Sequence, residues 1–160
     1  MQEFTTRSPE ETKALAGRVV RMLASRPGIR ATSTIVALQG NLGAGKTVFV
    51  KGVAQALGVS DEVTSPTFVI EKLYRLPEGS AWKHLVHIDA YRLEGEDELK
   101  TIGWHDLATD PGNLIMLEWP EQVGLGVPER AAWVELEHTD EHTRTIKTSI
   151  DIEDDAEHHA

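Results

Sequence analysis

A glycine-rich octapeptide constrains this chain most, because it fits the pattern G-x-x-x-x-G-K-[ST] at every fixed position. Glycines at this spacing let the backbone turn and bring its N–H groups close to phosphate oxygens. The lysine then supplies a mobile ammonium for the β and γ phosphates, and the threonine offers a hydroxyl to Mg²⁺. The motif predicts nucleoside triphosphate binding by Gly40, Asn41, Leu42, Gly43, Ala44, Gly45, Lys46, Thr47 and the adjoining Val48.

The residues on either side of this P-loop (residues 40–47) have the order strand, loop, helix. Residues 35–38 form a short apolar, partly β-branched run that is typical of a strand buried on both faces. Beyond the loop, Val50, Val53 and Leu57 recur at helical spacing, and Gly58 is placed to end the helix. This order disfavours the alternative that the octapeptide is an ordinary glycine-rich turn before a lysine.

Length and composition narrow the classes of function. The 160 residues predict one P-loop domain over residues 1–150, followed by an acidic, disordered tail over residues 151–160. The chain has no cysteine, which excludes disulfides, thiolate metal sites and a cysteine nucleophile. The first residues lack an apolar signal core and apolar runs are of strand length, so we predict a cytoplasmic protein without membrane contact.

The charge balance of the chain indicates whether it would bind nucleic acid directly. Sixteen basic residues against 26 acidic ones give a formal charge of −10. Such a charge repels a phosphodiester backbone at long range. We therefore expect no extensive direct binding of nucleic acid, tRNA included, and a partner would have to supply any basic surface if the function involves nucleic acid.

Strand-like and helical patterns alternate along the chain. Three helical patterns occur. The first begins at a capping box at Ser8, the second follows the P-loop, and the third is interrupted by Gly103. Strand-like runs occupy residues 35–38, 68–74, 82–88, 114–117, 133–137 and 146–152. We predict an α/β, three-layer P-loop NTPase fold with a mainly parallel central sheet, a hairpin around residues 77–80 and antiparallel edge additions from the final strands.

Two carboxylates stand where a P-loop needs acidic groups. Mg²⁺ must be held and an attacking water oriented, and such groups belong at the carboxyl ends of sheet strands. Asp89 ends the run 82–88, and Glu118 ends the run 114–117. We interpret both as site residues, and spacing does not decide which of them binds the metal directly.

Four segments taken together resemble the TsaE (YjeE) family. They are the P-loop, Ser65-Pro66-Thr67-Phe68, His87-Ile88-Asp89-Ala90-Tyr91-Arg92-Leu93 and Glu118-Trp119-Pro120-Glu121. The resemblance spans about residues 8–150, and the order and spacing of the segments make it more specific than the P-loop alone. It implies a weak, Mg²⁺-dependent ATPase of bacterial tRNA threonylcarbamoyladenosine biosynthesis. It also implies activity that depends on the proteins TsaD and TsaB and is required for repeated cycles of modification.

The resemblance also implies roles for individual residues. Lys46 would stabilise the β and γ phosphates of ATP, or the β phosphate of ADP, and Thr47 would ligate Mg²⁺. Glu118 would be a metal ligand or its anchor and Asp89 the partner carboxylate, with one of the two polarising water. Thr67, in a switch-like segment, would sense Mg²⁺ and the γ-phosphate.

Several residues keep a second interpretation. Residues 65–67 are also compatible with an ordinary turn. Trp119 has a site role because of its place beside Glu118, or else a core or interface position. His84 and His87 share a strand face only imperfectly, so we interpret them as structural. Residues 8–12 would flank the nucleotide base or serve only as a helix cap.

Two other functions fit the motifs. A P-loop kinase of a nucleoside or small metabolite would usually carry clustered arginines over its substrates, whereas Arg75, Arg92, Arg130 and Arg144 are scattered along this sequence. A nucleotide-gated interaction module without significant turnover is predicted nearly as well as an ATPase.

Overall fold

The central element is a sheet with the strand order β1-β7-β6-β2-β5-β4-β3. The computed structural model describes residues 1–59, 63 and 70–152. The seven strands found in those residues are β1 Gln2–Thr6, β2 Thr34–Gln39, β3 Glu71–Arg75, β4 His84–Asp89, β5 Asn113–Glu118, β6 Ala132–His138 and β7 Arg144–Thr148.

The middle of the sheet is parallel and its edges are antiparallel. Strands β6, β2, β5 and β4 run parallel, β7 and β1 add antiparallel strands on one side, and β3 pairs antiparallel with β4 on the other. The apolar runs of β2 and β5 suit central strands, because helices cover both faces of a parallel sheet. The predicted α/β fold and the predicted β3–β4 hairpin are therefore confirmed.

Two strands differ from the prediction. We expected β6 to be an antiparallel edge addition, but it lies inside the sheet, parallel to β2, with Val36 beside Ala132. Strand β1 was not predicted, since its short sequence is largely polar. It forms because it pairs with β7, with Phe4 opposite Ile146.

The helices occupy both faces. They are α1 Pro9–Ala24, α2 Lys46–Ala56, α3 Glu96–Leu99 and α4 Trp104–Thr109, with short 3₁₀ turns at Lys100–Ile102, Pro120–Gln122 and Gly124–Gly126. Ser8 begins α1 as predicted, because its hydroxyl accepts the Glu11 N–H at 3.1 Å and Pro9 follows in the first turn. Gly103, at φ 75°, separates α4 from the preceding 3₁₀ turn.

Each face of the sheet has its own apolar core. Alternate residues of β2 and β5, such as Val36 and Met116, pack with α1 and α2. Their neighbours Ile35 and Ile115 pack with Leu99 and the segment around Ile102 on the opposite face. Because α2 follows the P-loop directly, its packing against α1 and the sheet holds that loop at the carboxyl end of β2.

At Gly52, α2 lies directly against the backbone of α1. A Cβ at Gly52 would lie 2.6 Å from Lys13 Cα and 2.7 Å from the Lys13 carbonyl oxygen. Because both atoms are backbone, the helices would have to separate. Gly52→Ala is expected to destabilise the fold by about 1–3 kcal/mol, despite the better helix propensity of alanine. Urea unfolding monitored by circular dichroism measures the change.

Gly17 on α1 is the matched control. A Cβ there would meet the flexible Arg21 guanidinium at 3.1 Å and Ala56 Cβ at 3.6 Å. Gly17→Ala is expected to be neutral or to stabilise by up to about 1 kcal/mol. Equal stability of the two variants would contradict the close helix contact.

Packing continues past the predicted domain boundary at residue 150. Ile152 is buried, its N–H donates to Gln2 Oε1 at 2.7 Å, and its carbonyl accepts from Gln2 Nε2 at 3.0 Å. The rest of the predicted tail, residues 153–160, lies outside the described residues. Within the described part of the chain, no helix is both long and apolar enough to cross a membrane.

Candidate functional site

The P-loop lies between β2 and α2, and its backbone requires glycine. Gly43 and Gly45 have φ of 81° and 102°, a region that side chains disfavour. Gly40 is required for another reason, since a Cβ there would lie 2.5 Å from the Leu136 carbonyl oxygen of β6. The loop is closed internally by the Ala44 N–H, which donates to the Asn41 carbonyl at 3.0 Å. The glycine spacing thus fixes a tight turn that ends at the first turn of α2.

Lys46 begins α2 and turns its ammonium into the loop. Its Nζ donates to the carbonyls of Gly40 and, at 3.4 Å, of Asn41. The same atom lies 3.6 Å from the centre of the Trp119 ring, within cation–π range. The residue is only 5% exposed. Burial lowers the pKa of Lys46, and the negative charges of Glu118, Glu121 and Asp89 oppose that shift.

Asp89 and Glu118 lie side by side. They are register partners at the last positions of the parallel strands β4 and β5, and Glu118 is also paired with Leu38 at the end of β2. Both carboxylates are on the sheet face that α1 and α2 cover, because Leu114 and Met116 alternate with Glu118 and pack there. The structure thus brings Lys46, Asp89 and Glu118 to one place, as expected for parallel strands that end at the same edge.

Asp89 is held by its own backbone. Its Oδ1 accepts the Tyr91 N–H at 3.0 Å. Burial raises the pKa of Asp89, and the Glu118 charge adds to that rise. The Tyr91 hydrogen bond, His87 and Lys46 act in the opposite direction. The ionised side chain is therefore less favourable in the folded protein than in the unfolded chain.

Asp89→Asn is expected to raise the melting temperature at neutral pH. A raised folded-state pKa means that the ionised carboxylate opposes folding at pH values above that pKa, and that the cost disappears as the pH falls through it. The difference between variant and wild type should therefore shrink in acid. Thermal unfolding followed across a pH series checks both points.

Asp110→Asn is the control for this change. Asp110 Oδ1 accepts the Gly112 N–H at 2.8 Å, the same i to i+2 arrangement on an exposed residue. It is expected to leave the melting temperature nearly unchanged. A lower melting temperature for Asp89→Asn at neutral pH would show that the carboxylate stabilises the fold instead.

Trp119 follows Glu118 in an unusual backbone conformation. Its φ of 60° is the only positive value at a non-glycine residue in the described part of the chain. Its N–H donates to the Leu38 carbonyl at 3.3 Å, and its ring stacks at a tilt on Tyr91, 4.9 Å between centroids. A left-handed tryptophan costs backbone energy. Its ring lies over the Lys46 ammonium and also packs against the apolar core that contains Ile88 and Leu117, so the site and core interpretations hold together.

His87 is the residue that sequence reasoning missed. It is fully buried on β4, and its Nε2 lies 2.5 Å from Glu118 Oε2. Comparing positions within one strand did not show this contact, since it crosses diagonally to β5. The sequence signal was present in the spacing of His87 and Asp89, which places both on one face of a strand.

The remaining predicted residues surround this centre or lie outside the described residues. Thr47 and Val48 are half-buried in the first turn of α2, while Asn41, Leu42 and Gly43 are exposed. Thr67 and the rest of the Ser-Pro-Thr-Phe segment lie outside the described residues. A cavity of about 120 Å³ adjoins the loop and is lined by Ser8, Pro9, Thr12, Gly45, Val48, Glu141, His142 and Arg144.

The donor set suits a hard cation. The Thr47 hydroxyl and the Asp89 and Glu118 carboxylates offer oxygen atoms, the kind of donor that Mg²⁺ prefers. No preformed group of three or more acidic or histidine side chains able to hold a metal occurs in the described residues.

Comparison with known proteins places this geometry in a family. The model of the family described as threonylcarbamoyl adenosine biosynthesis protein TsaE matches residues 6–146. The tRNA threonylcarbamoyladenosine biosynthesis protein TsaE of Mycobacterium tuberculosis is 34% identical over 143 residues, covering 87% of this chain and 80% of that protein. The Bacillus subtilis protein of the same name is 33% identical over 147 residues, covering 90% and 82%.

A solved structure agrees with these sequence matches. The crystal structure of Bacillus subtilis YdiB superposes with a TM-score of 0.70 at 26% identity, covering 94% of this chain and 86% of that one. The family match spans the P-loop and both strand-end carboxylates. The chain therefore belongs to the TsaE family of threonylcarbamoyl adenosine biosynthesis proteins.

Proposed function

We propose that this chain is the ATP-binding and ATP-hydrolysing component of the machinery that makes threonylcarbamoyladenosine in bacterial tRNA. The observation that carries the proposal is the meeting of the Lys46 ammonium with the Asp89 and Glu118 carboxylates beside a glycine-built loop. A cation for phosphates next to carboxylates for metal and water is what phosphoryl transfer requires. The names of the relatives support the pathway.

The P-loop would bind the phosphates. Backbone N–H groups of residues 40–45 would donate to phosphate oxygens, and Lys46 would move from its own loop carbonyls to the β and γ phosphates. Thr47 would hold Mg²⁺ together with Asp89, Glu118 or both. The bound ion would neutralise charge on the β and γ oxygens.

The carboxylates would also act on water. In this proposal one of Asp89 and Glu118 orients and polarises the attacking water while the other serves the metal. Trp119 would cover the Lys46 side of the site, since its ring lies against that ammonium. Thr67 keeps its proposed role as a sensor of Mg²⁺ and γ-phosphate.

The cavity beside the loop would take the nucleotide base. Its walls combine Gly45 and Val48, next to the phosphate site, with Ser8 and Thr12 of α1. The α1 residues would then flank the base in addition to their role at the helix start.

Hydrolysis would depend on TsaD and TsaB and support repeated modification cycles. The formal charge of −10 leaves tRNA binding to those partners. A role in tRNA modification also supports a cytoplasmic location.

The kinase alternative is weakened by the placement of two arginines. Arg130 donates to the Ser33 and Ala108 carbonyls, before the start of β2 and so at the opposite end of that strand from the P-loop. Arg75 pairs with His84 at the first position of β4, also away from the loop. Neither is placed to clamp a phosphorylated second substrate.

Phosphate release from ATP tests the proposal. We expect slow release by the purified chain and faster release when TsaB and TsaD are added together. If the partners change neither turnover nor nucleotide affinity, the proposed dependence on TsaB and TsaD is wrong, and no phosphate release with both partners present would contradict the ATPase role. Transfer of labelled γ-phosphate to a metabolite would support a kinase instead.

A further inference from the structure

A buried imidazole lies against the carboxylate that ends β5. His87 Nε2 and Glu118 Oε2 are 2.5 Å apart, and the two side chains are 0% and 4% exposed. The register places His87 beside Met116, so the imidazole reaches Glu118 diagonally, one side-chain repeat along β5. The contact therefore depends on the observed register of β4 against β5.

Packing alone does not explain a histidine at this position. The same face carries Leu85 on β4 and Leu114 and Met116 on β5, all buried and apolar. A polar ring buried in such surroundings is costly unless it forms hydrogen bonds. Among the described residues Nδ1 has no partner, so the one hydrogen bond of this ring within that part of the chain is to Glu118.

The two site carboxylates are restrained in different ways. Asp89 is short and is fixed by the Tyr91 N–H from its own loop. Glu118 has one more rotatable bond, so fixing its carboxylate costs more side-chain entropy and needs an external hydrogen bond. With the proton on Nε2, His87 supplies that bond to Glu118 Oε2.

We propose that His87 is a positioning residue that fixes the Glu118 carboxylate for ATP hydrolysis. The inference rests on the proposed function, because it concerns the role of Glu118 in turnover. Histidine–carboxylate pairs beside metal sites orient the metal-facing group, and losing such a partner typically costs about 10–100-fold in activity or metal affinity. Because the His87 side chain is fully buried behind Glu118, we expect its loss to reduce the turnover number rather than nucleotide affinity.

The test compares His87→Met with His87→Gln in phosphate release with TsaB and TsaD present. Methionine keeps the buried volume without a donor, whereas the glutamine amide places an N–H near the position of Nε2. We expect kcat to fall about 10–100-fold in His87→Met and to be largely restored in His87→Gln. The Kd for ADP with Mg²⁺, measured by calorimetry, should stay within about threefold of wild type in both.

His84→Met is the matched control. His84 is half-buried at the start of the same strand, away from the P-loop, and its replacement should leave kcat unchanged. If His87→Met does not fold, His87→Asn replaces it, since the shorter amide does not reach Oε2.

The possible outcomes distinguish failure of the His87 positioning role from failure of the proposed ATPase role. Wild-type kcat in His87→Met, or equal losses in the donor-free variant and His87→Gln, would overturn the positioning role while the ATPase role stands. No phosphate release by the wild-type chain with both partners would overturn the ATPase role, and the positioning role with it.

Discussion

Lys46→Ala is expected to weaken ADP and ATP binding by about 10–100-fold, which is the loss of one charge-assisted hydrogen bond of about 1.5–3 kcal/mol. The Lys46 ammonium is the group that contacts the loop carbonyls of Gly40 and Asn41, and it balances nearby carboxylates. Without it, those carboxylates would repel the incoming phosphates. Calorimetric titration with ADP and Mg²⁺ measures the effect, and phosphate release should fall to background.

Lys51→Ala controls for charge and helix position. Lys51 lies on the same helix, is half-buried, and is not among the charges that shift the pKa of Lys46 or Asp89. It should bind ADP as the wild type does. Wild-type affinity in Lys46→Ala would mean that the octapeptide does not bind phosphates through its lysine.

Glu118→Gln is expected to reduce turnover by about 10²–10⁴-fold while sparing nucleotide binding. The amide has nearly the same shape, and its oxygen still accepts the His87 N–H, so packing should survive. What disappears is the negative charge that would hold the metal or polarise water. Single-turnover phosphate release and ADP calorimetry on the same sample separate chemistry from binding.

Glu121→Gln is the control for that charge. Glu121 also acts on the pKa of Lys46, but it is exposed and lies beyond the end of β5. Its turnover should remain within about threefold of wild type, as for a surface charge. A Glu118→Gln variant that keeps more than about a tenth of wild-type turnover would remove Glu118 from the chemistry.

The sequence predicted the centre of the fold well, because strong local patterns decided it. The apolar runs of β2 and β5 require burial on both faces, and the glycine spacing of the P-loop allows few backbone paths. Once β4 and β5 are parallel neighbours, Asp89 and Glu118 must meet at one edge. Their position is confirmed, while their roles stay predictions.

What the sequence did not predict depends on residues far apart in the chain. Strand β1 forms through pairing with β7, and β6 lies inside the sheet because it pairs with β2. The His87–Glu118 contact needs the register of two strands, and the left-handed backbone of Trp119 has no local signal. Side-chain periodicity gives the face on which a residue lies but not its partner on the next strand.

The site is expected to lower the free energy of unfolding, because it buries the charged side chains of Lys46, Asp89 and Glu118. Burial and like charge make ionised Asp89 unfavourable, and burial does the same to charged Lys46. Under the proposed function, phosphates bound beside Lys46 and a cation bound beside Asp89 would offset these costs. The expected stabilisation by Asp89→Asn and the expected loss of turnover by Glu118→Gln follow from the same electrostatics.

Multiple-turnover tRNA modification, reconstituted with TsaD, TsaB, tRNA and activated threonylcarbamoyl donor, tests the central claim most directly. We expect repeated cycles with the wild-type chain and ATP, and no more than about one cycle per complex with Lys46→Ala. Lys51→Ala should match the wild type. Sustained cycling by Lys46→Ala at the wild-type rate would contradict a role for ATP binding and hydrolysis by this chain.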